Sequence, residues 1–249
     1  MKYCLIVPHF NHDVAFATFL PALLSVDLPC IIVDDGSDIA SLERMQDLVK
    51  EHENIHFFEH GYNRGKGAAV MTACMQARAL GFTHGIQIDA DGQHDVTDIE
   101  AFIALSKQHP RSIVSGHPQF DESAPKSRVY GRKVTDFWVA LETLSLAIKD
   151  SLCGFRVYPL AEFEAVFDRF HIAKNMGFDT DIIVKSIWLN IPVKFIPTKV
   201  IYPENSVSHF KFLRDNLILI RLHTQLMFGM LLRSPLLILR KIKRSSNRS

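Results

Sequence analysis

The sequence lacks any C-x-x-C pair; its four cysteines, Cys4, Cys30, Cys74 and Cys153, lie scattered among apolar neighbours. That spacing disfavours a zinc site or a disulfide framework, so free buried thiols in a reducing compartment are expected. The opening stretch MKYCLIVPHFNHD has too short an apolar run for a signal peptide. A cytoplasmic location is expected. Two nucleotide-binding signatures are missing as well. No G-x-G-x-x-G is present, and in GYNRGKG Lys66 is followed by Gly67 rather than Ser or Thr, one residue short of the P-loop spacing. A P-loop ATPase is therefore disfavoured. No internal repeat and no low-complexity linker interrupts the 249 residues.

Net charge is nearly absent too, at +1, but this total hides an asymmetry. From Lys211 onward nine Lys or Arg face one acid, Asp215, a net +8 that leaves about −7 for residues 1–210. An acidic body with a basic, apolar tail suits an anionic surface.

What is present is an alternation of strand and helix patterns. Apolar runs at 3–7, 30–35, 55–58, 85–89 and 112–116 read as strands, the first two continuous as in parallel sheets buried on both faces. Helical patterns lie between them at 14–26, 41–52 and 66–80, the last stopping at Gly81. Thr97 and Glu100 form a capping box for a helix that ends before Pro110. A polar loop at 117–128 breaks the rhythm and a long helix follows, from about 129 to 147, with another near 160–170. The alternation predicts an α/β fold with an open, mostly parallel sheet and right-handed crossovers.

The stretch IQIDADGQHD (86–95) ends an apolar strand in an acidic cluster. Residues two apart in extended chain point the same way, so Asp89 and Asp91 can converge. Two carboxylates with Gln93 or His94 beside them suit Mg²⁺ or Mn²⁺ better than zinc. An acidic turn capping the next helix is the plain alternative. Asp34 and Asp35 close the second strand, where carboxylates can accept hydrogen bonds from a ribose or a base edge. NRGKG (63–67) adds a free backbone at Gly65 and Gly67 and positive charge at Arg64 and Lys66.

Taken in order, IVPHFNH, VDDGS, NRGKGAA and DADGQH resemble the family-2 glycosyltransferases, nearest the polyprenyl-phosphate (dolichyl-phosphate mannosyltransferase-like) branch and its bacterial relatives. The resemblance continues through DSLCGFRVYP (150–159), GFDTDIIVKS (177–186) and IYPENSVSHF (201–210), almost the whole chain. It implies a GT-A-like, Rossmann-type fold and a metal-dependent, inverting transfer of one sugar. The donor would be a nucleoside-diphospho-sugar and the acceptor lipid-linked, either a polyprenyl phosphate or a glycolipid. On this resemblance Pro8 and Asn11 line the nucleotide cleft, with Asp34, Asp35 and Ser37 near base and ribose. Asn63, Lys66 and Gly67 join the donor set, and Asp89 and Ala90 sit by the ribose and sugar. Asp91 holds Mg²⁺ or Mn²⁺ on the diphosphate with help from Gln93, while Arg156 and His209 lie near the phosphates. Two departures stand out. His12 follows Asn11 where the family commonly has an acid, and the Q-x-x-R-W motif of processive synthases is absent.

An ionised polyprenyl phosphate needs cations to place it, and Arg128, Arg132, Arg156 and Lys211 are candidates. A hydroxyl acceptor needs a general base, for which Asp150, Asp179 and Asp181 are the candidate catalytic acids. Asp181 reads equally as the acidic first turn of a helix, and Asp150 as a structural partner of Arg156. A sugar nucleotidyltransferase would place a Gly-rich, Arg-containing loop after the first strand, where PHFNHD stands instead. A donor-binding, membrane-surface module without catalysis is the non-enzyme alternative.

The chain reads as a catalytic domain, 1–210, with a helical tail, 211–249. Arg221 and Arg233 stand twelve positions apart with His223 and Gln225 between them, short of the roughly 20 apolar residues a membrane span needs. Ser234-Pro235 reads as the start of a second short helix. The tail is expected to lie in the interface, its cations toward anionic lipids on the inner membrane face, with a helix packed on the body as the alternative. Nucleic acid is not an expected partner, because aromatics are not interleaved with the charges.

Overall fold

The structure, a computed structural model, describes residues 1–120, 126–199 and 212–246. Seven strands form one sheet in the order β3-β2-β1-β4-β6-β5-β7. These are β1 (Tyr3–His9), β2 (Cys30–Asp34), β3 (Ile55–Glu59), β4 (His84–Gln87), β5 (Ile113–Gln119), β6 (Arg156–Pro159) and β7 (Val193–Lys199). The pairs run parallel except at β6, which is antiparallel to both β4 and β5. The mostly parallel α/β sheet is as expected.

Period-two alternation divides the interior into two cores. Ile6, Ile31 and Val33 point to the side covered by α3 (Lys66–Ala79), α6 (Leu160–Arg169) and α7 (Phe178–Trp188). Leu5, Val7 and Ile32 point to the side covered by α1 (Asp13–Leu24), α2 (Ile39–Val49) and α4 (Ile99–Gln108). On α3, Ala69, Ala73 and Ala77 recur every four residues and are wholly buried, so small side chains bring that helix close to the sheet. All four cysteines are free and buried.

Three local expectations need correction. The side-chain cap here is Asp95, on the 3-10 turn Val96–Asp98 that precedes α4, and its Oδ1 accepts from both the N–H and the hydroxyl of Thr97, at 2.9 and 2.7 Å. Thr97 is thus a donor rather than the cap, and α4 begins at Ile99 after a short 3-10 turn. Strand β5 continues to Gln119, into the segment expected as loop, because β7 pairs with it along its full length. Finally, the tail is one helix, α8 (Phe212–Ser246), that runs through Pro235. Proline removes the N–H that would reach the carbonyl of residue 231. Ser234 Oγ donates to that Leu231 carbonyl at 2.9 Å instead, and Arg233 Nη1 donates to Gly229 O at 2.9 Å. With those acceptors satisfied, no second helix is needed.

One face of α8 is committed to the body. Leu222, Leu226, Met230 and Leu237 join the same core as α7. Arg233 stacks on the Trp188 ring at 4.7 Å, and Arg240 donates to Trp188 O at 2.7 Å. His223 Nδ1 stands 2.7 Å from Glu142 Oε1 on α5 (Lys126–Thr143). By length and composition alone Arg214–Lys243 is sufficient to cross a membrane.

Candidate active site

The ends of β1, β2 and β3 carry two His–Asp pairs side by side. His9 Nδ1 lies 2.7 Å from Asp34 Oδ1, and His60 Nδ1 lies 2.7 Å from Asp35 Oδ1. Neighbouring residues in a strand point opposite ways, so the two aspartates have different tasks. Asp34 is wholly buried and accepts from the Ser37 N–H and hydroxyl at 2.9 and 2.5 Å. Burial opposes its charge, but His9 and Ser37 prevail and hold its carboxyl below the ordinary range. Asp35 borders the cleft and accepts from the N–H groups of Arg64 and Gly65, at 3.0 and 2.7 Å, which fixes the NRGKG loop. Gly65 is required there: its φ is +98°, and a Cβ would lie 2.3 Å from Lys174 O.

That loop delivers Lys66 to the centre of a cleft of about 1550 Å³. Lys66 Nζ bonds Asp89 Oδ2 at 2.9 Å and Asp179 Oδ2 at 3.2 Å, joining the end of β4 to the first turn of α7. Burial disfavours the ammonium, but Asp179 and Asp89 outweigh it and hold Lys66 well above its ordinary value. In return, and against its own burial, Lys66 holds Asp89 below the carboxylate range. Asp91 moves the other way: burial and the Asp89 charge raise it. Asp91 Oδ1 accepts from Gln93 N–H at 3.0 Å in a tight turn where Gly92 has φ +69°.

Two buried polar atoms on cleft residues lack hydrogen-bond partners, Asp179 Oδ1 and His94 Nδ1. Leaving such atoms unpaired costs about 1–3 kcal/mol each, which a ligand hydroxyl would relieve.

Of the residues the sequence put forward, Pro8, Asp35, Asn63, Lys66, Asp89, Ala90, Asp91, Gln93 and Asp179 line this one cleft. Others stand behind it. Asn11, with φ 51°, donates its N–H to Ser37 Oγ and accepts the Asp38 N–H on its Oδ1. Gly67 packs against Ala173 and Phe178. Arg156 is fully buried and donates to Ser151 O and Asp179 O, both at 2.8 Å, so it braces the Asp179 turn from below. Asp150 accepts from Leu152 and Cys153 N–H and from Arg132 Nη1, the last at 2.5 Å. It pairs with Arg132, where the sequence suggested Arg156. Asp181 is buried, pairs with Lys185 at 2.5 Å and takes the Ala173 N–H at 2.7 Å. His209, Lys211 and the Arg128 side chain lie outside the described residues.

The sequence reading missed Gly154, where a Cβ would sit 2.7 Å from Asp89 Oδ2 and 2.9 Å from Lys66 Nζ. It also missed the far end of the cleft, an apolar groove between α5 and α8 lined by Val134, Trp138, Ile220, Met227, Phe228 and Leu231. The exposed stripe on α5 was the available signal for the groove. Gly154 left none.

Among the described residues no three His, Cys, Asp or Glu side chains cluster as a metal cage. The donor set present, Asp91 with Gln93 and the neighbouring Asp89, is a hard-oxygen set with few protein ligands. That suits Mg²⁺ or Mn²⁺ completed by substrate phosphates rather than a metal held by protein alone.

A mostly parallel sheet ending in carboxylates over a deep cleft is the GT-A-like arrangement. Glucosyl-3-phosphoglycerate synthase from Mycobacterium tuberculosis, solved with Mn²⁺ and UDP-glucose, shares the fold with a TM-score of 0.61. Sequence identity there is 12%, over 83% of this chain and 72% of that one. Residues 4–165 match Glycosyl transferase family 2, and the chain belongs to that family. It is similar to dolichyl-phosphate beta-glucosyltransferase ALG5A of Trichomonas vaginalis, 25% identical over 215 residues, 78% of this chain and 64% of the relative. It is also similar to a UDP-N-acetylglucosamine–dolichyl-phosphate N-acetylglucosaminyltransferase of Methanococcus voltae, 25% identical over 221 residues, 82% and 87% of the two chains. The chain thus spans less than two thirds of the length of the Trichomonas relative.

Proposed function

We propose that this chain transfers a single sugar, with inversion, from a nucleoside-diphospho-sugar to a lipid-linked phosphate acceptor. The observation that carries this is the continuity of one cleft from the Lys66–Asp89–Asp91–Asp179 cluster to the apolar groove between α5 and α8. Relatives named for dolichyl phosphate support the same acceptor class. Asp35 and Asn63 border the nucleoside end, and Asp89 faces the ribose and sugar. Asp91 and Gln93 would hold Mg²⁺ or Mn²⁺, which when bound neutralises charge on the leaving diphosphate. Lys66 keeps Asp89 ionised and bridges it to Asp179 until a ligand arrives.

A phosphate acceptor is already ionised and needs no base; it needs a placed cation. Arg132 lines the cleft, anchored by Asp150 and lying over the Phe120 ring at 5.4 Å. Its guanidinium is the cation for that phosphate. A hydroxyl acceptor is the second reading, favoured by Asp179 Oδ1, a carboxylate oxygen of the cleft that takes no hydrogen bond. In either case α8 is the membrane-associating appendage of residues 1–210, holding the protein on the inner face of the membrane.

Nucleoside-diphosphate release tests the proposal. The panel is UDP- and GDP-sugars with Mn²⁺ or Mg²⁺, a polyprenyl phosphate or a glycolipid as acceptor, and Asp91→Ala as the blank. Release from one donor that requires the lipid phosphate and the metal is expected. Release with the glycolipid alone selects the second reading, and none above the blank with any pair points to a binding module without catalysis.

A further inference from the structure

The helix α5 is buried on one side and apolar on the other. Its inner side, with Val139 and Glu142, is buried against the body. Tyr130, Val134, Phe137 and Leu141 follow at steps of four, three and four, one stripe of a helix. Every member of the stripe is exposed, Tyr130 at 68% and Val134 and Phe137 at 60% each. A solvated helix gains nothing from such a stripe, and contiguous apolar patches of this kind mark contact surfaces. The outward side of α8 is similar, with Leu217, Ile220, Phe228, Leu232 and Leu239 all more than half exposed. The two outward faces meet at the cleft: Val134 and Trp138 line one wall of the groove, and Ile220, Phe228 and Leu231 the other.

We infer that α5 and α8 together form a single surface that sinks into one leaflet of an anionic bilayer, so that the cleft opens sideways into the lipid. The charges choose the occupant. Lys133 on α5 and Lys241 and Lys243 on α8 are exposed, Arg214 and Arg221 stand exposed at the N-terminal part of the outward side of α8 itself, and Asp215, the one acid on α8, is buried. A symmetric pair of chains would set those cations against their own copies, whereas anionic headgroups neutralise them. The docked face of α8 decides the orientation. Its bonds to Glu142, Phe170 and Trp188 tie it to the body from His223 to Arg240. A spanning α8 would drag buried ion pairs of the body into hydrocarbon, where charge is costly. The helix therefore lies in the interface plane.

This rests on the lipid-linked acceptor proposed above and adds the route by which it enters. The chain of the acceptor stays in the leaflet, slides between α5 and α8, and presents its headgroup to the carboxylate end without leaving the membrane.

The test is sedimentation of the full chain with phosphatidylcholine vesicles, with and without phosphatidylglycerol. Phe137→Glu/Leu141→Glu alters α5 and Leu232→Glu/Leu239→Glu alters α8, all four positions outside the cleft. Each pair is expected to weaken binding to anionic vesicles about tenfold or more, with nucleoside-diphosphate binding retained as the sign of an intact fold. Tryptophan fluorescence of the unaltered chain is a check that needs no variant. Trp138 is 37% exposed and Trp188 only 4%, so acyl-chain-brominated lipids should quench Trp138. If the α8 pair abolishes binding, the α5 pair does not and Trp138 is unquenched, the membrane reading stands and the shared surface is wrong. If the unaltered chain ignores vesicles and forms a dimer that the α5 pair disrupts, the surface is a subunit interface and both ideas fall.

Discussion

Lys66 Nζ and Asp89 Oδ2 stand 2.9 Å apart inside the cleft, an ion pair with each side chain 24% exposed. Lys66 contacts Asp179 as well, so one ammonium separates two carboxylates that would otherwise repel each other. Lys66→Met keeps the bulk and removes the charge. We expect kcat/KM to fall about 100-fold or more, the loss typical of an electrostatic contact to a reacting group. Steady-state kinetics checks this, and calorimetry with the nucleoside diphosphate shows whether the loss lies in donor binding.

Gly154 makes that pair possible. An alanine Cβ would sit 2.7 Å from Asp89 Oδ2, so Asp89 must turn aside. Gly154→Ala is expected to lower turnover by ~10–100-fold, as misplacement near reacting groups does. Thermal unfolding should move little, since the crowded atoms are polar tips at the cleft. A large fall in Tm together with lost activity would show that Gly154 serves the fold alone.

The three candidate acids separate by surroundings. Asp179 lines the cleft, its Oδ1 without a hydrogen-bond donor and 3.7 Å from Arg156 Nη1, whereas Asp150 and Asp181 lie outside the cleft lining and are held by Arg132, Lys185 and backbone N–H groups. Asp179→Asn is expected to reduce turnover about 100-fold with the fold intact. Asp181→Asn should act on Tm instead, with turnover within about threefold of the unaltered chain. Measuring both quantities for each variant decides it, and an inactive but stable Asp181→Asn would reverse the assignment.

Asp136 on α5 supplies a pH dependence that does not involve the carboxylates of the cleft. Burial and the neighbouring Asp150, opposed by Arg132, push it up to about 7. A carboxyl with a raised folded value binds its proton more tightly when folded. Its contribution is present below the ordinary carboxylate range and is lost as pH climbs toward 7. Asp136→Asn mimics the protonated form. After discounting for partial exposure, it should stabilise the protein at pH 8 by about 1 kcal/mol, a Tm gain of about 2–4 °C. The gain should vanish near pH 4, and equal Tm differences at both values would remove Asp136 as the cause.

Much of this was legible in the sequence for a reason that can be stated. Strands β1 and β2 lie mid-sheet between helices, so nearly every side chain is apolar and the run announces itself. Strand β6 did not. It has four residues, and its first is Arg156, tolerated because the carbonyls of Ser151, five residues earlier, and Asp179, on α7, accept its guanidinium along with the Ser115 hydroxyl. At the site, Asp89 and Asp91 were visible as acids closing a strand. Asp34 and Asp35 looked alike in sequence, yet one turns inward to His9 and the other to the cleft, a distinction set by the pleat. The unbroken α8 was hidden because a proline normally ends a helix, and the Ser234 hydroxyl that compensates shows only in three dimensions.

That unbroken helix has a mechanical consequence. Thirty-five residues at 1.5 Å each make a rod of about 50 Å, about the diameter of the body itself. It is fastened about a third of the way along, at His223, by Glu142 and near its far end, at Arg240, by Trp188. A beam fixed at two points cannot pivot on what carries it. The distance from the rod to the Asp89 and Asp91 carboxylates is therefore a constant of the fold, and with α8 in the interface as proposed it would gauge how far a substrate must protrude before its end can react.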